Sequence, residues 1–457
     1  MGLNPEIFRQ YDIRGVVGKD LTEEKVEVLG KGIGTYLHSR QCKQVAVGAD
    51  CRLSSPAFAK NLIRGLISTG CDVVDLGTIP TPLLYFSIYH NNLESGVMIT
   101  GSHNPPEFNG FKIMAGKQTL YGDDIQAIFQ LIKEQKFISA QEGKVTTLNI
   151  NPEYHDYVVN NIKLKKKLKV VVDAGNGTGG VVAVPIFKEL GCEVVELYCE
   201  MDGNFPNHHP DPTLPEALED LIKKVEETGA DLGFAYDGDS DRIGVIDDAG
   251  NIIWGDKLMI LLSRDIVPAN PGATVISEVK ASQLLYDEIE KLGGRPIMWK
   301  TGHSLIKKKI QEEHALLAGE MSGHIFFADR FFGFDDAIYS SARVLEILSR
   351  SDKKLSLMLS DLPQTYVTPE IRLYSSDEVK FKIVEEVKNK LSQKYPVIDI
   401  DGVRAIYPSG WALVRASNTQ GALVLRFEAK SQEKLDAMRK EVEGTIEDAI
   451  RKLEKGS

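Results

Sequence analysis

The chain has 457 residues, 42% hydrophobic and 26% charged, an ordinary globular usage that excludes collagen-like, disordered and low-complexity chains. Its 54 Lys and Arg against 65 Asp and Glu leave a net charge of −11, which argues against nucleic-acid or anionic-membrane partners, so any anionic ligand must be met by a local basic site. Five cysteines without a C-x-x-C pair, no basic-then-apolar leader and no membrane-length apolar run predict a cytoplasmic chain in a reducing compartment, of about three domains at ~150 residues each.

Taken in order, the apolar runs fall into a threefold repeat: strand, helix, glycine, strand. The first copy occupies 45–50, 57–67 and 70–76, the second 170–173, 184–190 and 191–197, and the third, weaker, 274–277, 284–292 and 293–298. Helices that stop at a glycine and strands that are apolar throughout are the marks of βαβ units with both sheet faces covered. After each copy comes one more short strand, at 96–100, 232–236 and 315–318. Each runs directly into a glycine-containing polar loop: Gly101-Ser102-His103-Asn104-Pro105, then Asp237-Gly238-Asp239-Ser240-Asp241-Arg242, then Gly319-Glu320-Met321-Ser322-Gly323-His324. Ligands of open α/β sheets sit beyond the carboxyl ends of the strands, so three equivalent loops predict three walls of one cleft. The remainder reads as a small α+β module, with helices at 377–391 and 432–453, strands at 397–400, 411–416 and 423–429, and a polar loop Arg415-Ala416-Ser417-Asn418-Thr419. The expected fold is therefore α/β, three related mixed-sheet, βαβ-type domains (1–150, 151–253, 254–366) plus a smaller C-terminal α+β domain (367–457) around a central cleft.

Each loop carries a different chemistry. Asp237, Asp239 and Asp241 place three hard oxygen donors in one turn, which suits Mg²⁺. An EF-hand is excluded because its twelfth position is Asp248 and strand-like 243–246 intervenes. Ser102 needs a base, a metal or a positive field to act as a nucleophile, and no G-x-S-x-G elbow surrounds it. Glu320, Ser322 and His324 could read sugar hydroxyls. Cations recur beside these loops at Arg9, Arg14, Lys112, Arg242, Lys280 and Arg415, where they could meet a phosphate. His208-His209 reads as a structural loop, and Lys307-Lys308-Lys309 as a solvated helix face.

These four loops, in this order, resemble those of the α-D-phosphohexomutase family, and the resemblance runs from Tyr11-Asp12-Ile13-Arg14-Gly15 to Leu425-Arg426-Phe427-Glu428. Met321 in the sugar loop, with His208-His209-Pro210-Asp211-Pro212, is most similar to the bacterial phosphomannomutase/phosphoglucomutase branch. The resemblance implies an intramolecular phosphotransferase that interconverts hexose 1- and 6-phosphates of mannose or glucose through a 1,6-bisphosphate, which also serves as activator. It implies that Ser102 carries the phosphoryl group and joins Asp237, Asp239 and Asp241 around Mg²⁺. It further implies that Arg14, Lys112 and His324 handle the proton and the developing charge. Tyr11, Lys280, His303 and the loop Glu320, Met321, Ser322, Gly323, His324 would contact the sugar, and Arg415, Ala416, Ser417, Asn418 and Thr419 the phosphate that is not transferred. His103 and Arg242 complete the site, in a monomer or small homo-oligomer. Two departures stand out: Ser240 where glycine is common, and Gln420-Gly421 where Thr-Pro often follows the phosphate loop. Rival readings are a phosphoglucosamine mutase, a metal-dependent sugar-phosphate phosphatase and a non-catalytic sugar-phosphate binder.

Overall fold

The computed structural model describes residues 3–418 and 421–455. The threefold repeat becomes three sheets with one shared connectivity. In the first, the strand Gln44–Ala49 lies between two parallel neighbours, Asp72–Thr78 and Ser95–Ile99, and Phe108–Ala115 returns antiparallel beside the latter. The second sheet repeats this with Lys169–Asp173 between Glu193–Leu197 and Leu232–Tyr236, and Ile243–Asp247 returning. The third does so with Thr274–Glu278 between Arg295–Trp299 and Leu317–Gly319, and Ile325–Phe327 returning. Each polar loop therefore joins the last parallel strand to the antiparallel return strand, which turns the chain back so that both ends of the loop are pinned by sheet hydrogen bonds.

The first two repeat helices, Ser55–Ser68 and Gly180–Glu189, are longer than their apolar patterns, and the third, Gln283–Lys291, matches its own within one residue at each end. Two elements cement the three α/β units into one body. Thr81–His90, a helix apolar on nearly all sides, and Ala337–Ser349, buried along its whole length, contribute to one core that includes Val170, Val172, Val275 and Leu317. A helix with no polar face must be covered all round. Among the described residues no helix is long and apolar enough to cross a membrane. The five cysteines are free thiols.

The C-terminal unit is an antiparallel sheet backed by the helices Lys380–Leu391 and Gln432–Lys455, with its own core around Val387, Leu425 and Val442. Its polar loop joins Gly410–Ala416 to Ala422–Ala429. Three strands escape the apolar reading, Ile371–Tyr374, Val403–Tyr407 and the two-residue Tyr366–Val367. In the second, Arg404 interrupts the apolar run, yet it is fully buried. Its guanidinium donates to the Val279 and Ala281 carbonyls at 2.7 and 2.8 Å and lies 3.8 Å from the Trp411 ring centre. Glu428 accepts from Ser282 Oγ at 2.6 Å and from Trp411 Nε1 at 2.6 Å, so the C-terminal unit docks on the segment that carries Lys280.

Candidate active site

The serine loop is built around a buried arginine. Arg52 is fully buried; its Nε meets Asp50 at 3.0 Å, Nη1 donates to the Pro105 and Phe108 carbonyls at 2.6 and 2.9 Å, and Nη2 to those of Ser102 and Asn104 at 2.8 and 2.6 Å. This fork holds Ser102 at φ +50°, a conformation that L residues adopt only when the surroundings demand it. The metal loop approaches so closely that a Cβ on Gly238 would stand 2.6 Å from the Ser102 carbonyl oxygen. Ser102 Oγ, nearly buried, donates to Asp237 Oδ2 at 2.7 Å and lies 3.2 Å from His103 Nδ1. Burial, reinforced by Arg242 and Arg14, pushes the His103 imidazole well below its ordinary range and keeps it neutral. Arg14 reaches the same loop through Asn104 Oδ1 at 2.9 Å.

Asp237, Asp239 and Asp241 are fully buried, and each offers an oxygen within 4.8 Å of the others. Lys112, from the return strand of the first sheet, meets Asp239 Oδ2 at 2.7 Å and also bonds Asp241, and Thr81 donates to Asp239 at 2.5 Å. Burial first, and then repulsion from Asp239 and Asp241, drives the Asp237 carboxyl well above its ordinary range. Against the same burial, Lys112 holds Asp239 below it. Asp239 Oδ1 and Asp241 Oδ1 are buried without a hydrogen-bond partner. Three carboxylates against one ammonium, with two orphaned oxygens, fit a divalent cation with oxygen preference. Ser240 takes φ +61°, so the position where glycine is common does require the left-handed region.

The sugar loop is tied to the metal loop by the Ile243 N–H bond to the Gly323 carbonyl at 3.0 Å. Gly323 takes φ +90°, and Met321 and Ser322 stay half-exposed on the open side. Glu320 is buried and accepts from Gly302 N at 2.7 Å; burial raises its carboxyl above the ordinary range. Arg242 Nε donates to His324 Nε2 at 3.1 Å, and His324 Nδ1 lies 3.6 Å from Asp241 and 3.1 Å from Asp335. His303, pushed down to about 4 by burial and then by Lys307, stacks on His324 with ring centres 5.3 Å apart. Tyr11 reaches across from the first unit: its hydroxyl donates to the Thr301 carbonyl at 2.9 Å and accepts from Asn418 Nδ2 at 3.0 Å. Gly302, at φ +134°, leaves room for that ring, since a Cβ there would stand 2.7 Å from it.

In the fourth loop, Arg415 pairs with Asp401 at 3.0 Å, and Asp401 also caps Thr301 N at 3.0 Å. Ser417 O accepts from Lys380 at 2.6 Å, and Lys280 Nζ meets Glu370 at 3.1 Å. Ala416 turns its side chain into the core of the C-terminal unit, so only its backbone belongs to the loop. Thr419 and Gln420 lie outside the described residues. The contacts thus link Ser102 to Asp237, Lys112 to Asp239 and Asp241, Arg242 to His324, and Tyr11 to Thr301 and Asn418, so loops of all four units meet at one cleft.

Sequence reading missed several supporting residues. Arg52 and Asp50 directly follow the first repeat's strand, where a buried pair had a visible place. Asp335 and Asp336 directly follow the aromatic run 331–334, an odd setting for two acids. Lys307 is not on a solvated face: it is buried, 2.9 Å from Asp335 and 4.0 Å from the Tyr85 ring centre, because its helix faces the cleft.

Four sequence families match in succession: phosphoglucomutase/phosphomannomutase alpha/beta/alpha domain I at residues 5–139, domain II at 152–250, domain III at 254–366, and the C-terminal domain at 370–445. A phosphomannomutase/phosphoglucomutase of Pseudomonas aeruginosa is 50% identical over 438 residues, 96% of this chain and 94% of that one. A phosphoglucomutase of Neisseria gonorrhoeae is 45% identical over 446 residues, 97% of each chain. The crystal structure of a phosphoglucomutase/phosphomannomutase family protein from Burkholderia thailandensis superposes with a TM-score of 0.93 at 42% identity, covering 98% of both chains.

Proposed function

The chain belongs to the phosphoglucomutase/phosphomannomutase family, the α-D-phosphohexomutases, and is a hexose-phosphate mutase; on that premise we propose that Ser102 is the phosphoryl carrier and that glucose and mannose phosphates are its substrates. The observation that carries this reading is the Ser102 Oγ to Asp237 Oδ2 contact of 2.7 Å, on a strained loop facing three buried carboxylates.

Asp237, Asp239 and Asp241, with a phosphoserine oxygen, would hold Mg²⁺, which when bound draws electron density from phosphorus and neutralises the transferring oxygens. Arg52 fixes the Ser102 backbone, and the buried loop keeps water from the seryl phosphate. The sugar 6-oxygen attacks phosphorus, the bond from phosphorus to Ser102 Oγ breaks, and its electron pair stays on Oγ. His324 would take the proton of the attacking hydroxyl, Arg14 and Lys112 would balance the charge that develops, and a proton returns to Ser102 Oγ. Arg415, Ser417, Asn418 and Thr419 would grip the other phosphate, with Lys280 beside them. After the 1,6-bisphosphate reorients, the same residues serve the 1-position, and the phosphoryl group returns to Ser102.

Glu320 and Ser322 reading the 3- and 4-hydroxyls would leave the 2-position unread, and gluco and manno sugars differ only there. This favours dual specificity for glucose and mannose, while Met321 in the sugar loop is what argues against a 2-amino sugar. The test is a panel of glucose, mannose and glucosamine 1-phosphates with Mg²⁺ and a hexose 1,6-bisphosphate. Comparable glucose and mannose rates are expected; a dominant glucosamine rate, or inorganic phosphate release faster than isomerisation, would overturn the proposal.

A further inference from the structure

We propose that Asp335 is a positioning residue of the mutase reaction, a single buried carboxylate that fixes the orientation and tautomer of His324 and aligns His303 beside it. The inference rests on the mutase reading above and adds a residue that no motif contains.

Asp335 follows the aromatic run 331–334 and pairs its backbone with Phe326, on the return strand that leaves the sugar loop, so its carboxylate is anchored to the element that carries His324. It is fully buried, and its two oxygens divide their partners. Oδ1 accepts from Lys307 Nζ at 2.9 Å. Oδ2 faces two imidazoles at once, His324 Nδ1 at 3.1 Å and His303 Nδ1 at 3.3 Å. The two rings stack, 14° from parallel, with the carboxylate at their shared edge.

The far side of His324 decides where its proton sits. Nε2 accepts from the Arg242 Nε–H at 3.1 Å, and a ring nitrogen that accepts carries no hydrogen. The neutral ring therefore bears its hydrogen on Nδ1, at ion-pair distance from Asp335 Oδ2; His324 Nδ1, His303 Nδ1 and Asp335 Oδ2 close no hydrogen bond, so the carboxylate holds the rings electrostatically. Flipping the ring, or exchanging the tautomer, would set a donor against Arg242 and a lone pair against a carboxylate. Asp335 and Arg242 thus act as two ends of a clamp that presents the Nε2 lone pair toward the metal loop. His303 shares the clamp and opens the helix whose preceding residue, Gly302, donates to Glu320, so the same carboxylate ties the sugar reader to His324.

Asp241, His324 and Asp335 also have ligand-like atoms within 4.8 Å of one another, but a cation is already placed on each: Lys112 on Asp241, Lys307 on Asp335 and Arg242 on His324. That compensation favours an electrostatic clamp over a second metal centre.

The test combines Asp335→Asn and Asp335→Glu with ring-nitrogen NMR of protein labelled with ¹⁵N-histidine, the His324 signal being identified by its loss in His324→Gln. Misplacing a group by ~1 Å costs about 100-fold in rate, and losing the partner of an oriented histidine about 10- to 100-fold, so Asp335→Asn is expected to lower kcat by about 10- to 100-fold. KM, the phosphate content of Ser102 and Mg²⁺ affinity are expected to stay near wild type, and Asp335→Glu to recover part of the rate. Wild-type His324 is expected as the Nδ1–H tautomer, converting in Asp335→Asn to a mixture. An Nε2–H tautomer in the wild type overturns the proposal without any variant having to fold. So does an unchanged kcat in Asp335→Asn, or a joint fall of kcat, KM and Tm with the Nδ1–H signal retained, which is the pattern of a merely structural residue. A chain that fails to isomerise hexose phosphates would defeat the mutase reading instead, and the tautomer would still report on the clamp.

Discussion

Replacing Arg52 by methionine keeps the volume of the side chain and removes its five hydrogen bonds, one to the Asp50 carboxylate and four to the carbonyls of Ser102, Asn104, Pro105 and Phe108. Both partners of the ion pair are essentially unexposed, so solvent does not screen the loss. Breaking a buried pair costs ~3–5 kcal/mol, and each carbonyl left without a donor ~1–3 kcal/mol unless water reaches it. Taking ~4 kcal/mol for the ion pair alone, with water reaching the carbonyls, and roughly 2–4 °C per kcal/mol for a unit of this size, the first calorimetric transition is expected to fall by at least about 8–16 °C. The Ser102 backbone at φ +50° depends on the same fork, so kcat should fall about 100-fold through misplacement of Oγ by ~1 Å. Arg52→Lys restores a charge opposite Asp50 but cannot reach all four carbonyls, and it should fall between the two. Scanning calorimetry and a coupled isomerisation assay read both effects. An Arg52→Met protein that keeps its Tm within ~2 °C and its kcat within about twofold would refute the reasoning.

Ser240→Gly removes the strain of a φ of +61°, about 1–2 kcal/mol, against an entropic cost of about 0.5–1 kcal/mol, so a small gain in Tm without loss of turnover is expected, and a loss in Tm would contradict it. Gly302→Ala would place a Cβ 2.7 Å from the Tyr11 ring; displacing that ring should raise KM for hexose 1-phosphate by about tenfold, and an unchanged KM would separate Tyr11 from substrate binding. Burial pushes the Asp336 carboxyl up to about 7, so the folded state keeps a proton that the unfolded chain releases near its ordinary value, and stability falls as pH rises from about 4 to 7. Asp336→Asn keeps the cap on Tyr339 N and should flatten that slope in thermal melts across pH; an identical slope would assign it elsewhere.

Much of this architecture was legible because the repeat writes itself three times in apolar runs, and each polar loop follows a strand that has to end there. The α/β class, the three loops and the distinct C-terminal unit follow from that pattern. Two of the elements that escaped carry a polar side chain that is buried by a distant partner. Phe108–Ala115 carries Lys112, whose charge is balanced by Asp239 and Asp241 more than a hundred positions away. Val403–Tyr407 carries Arg404, satisfied by carbonyls of another unit. Lys307 looked like part of a solvated triplet because charge along a helix does not reveal which neighbour holds an acid, here Asp335. Ser240 is the opposite case: it stands where glycine is common, and the backbone there has the positive φ that glycine would take without strain.

The role of Ser102 is tested most directly by intact-protein mass spectrometry of the wild type and Ser102→Ala after incubation with hexose 1,6-bisphosphate, followed by turnover of the same samples. The account predicts one added phosphate in the wild type, mapped to Ser102, none in Ser102→Ala, and loss of most mutase activity in that variant with substrate binding still measurable. A Ser102→Ala protein that isomerises hexose phosphates at a near-wild-type rate would contradict it.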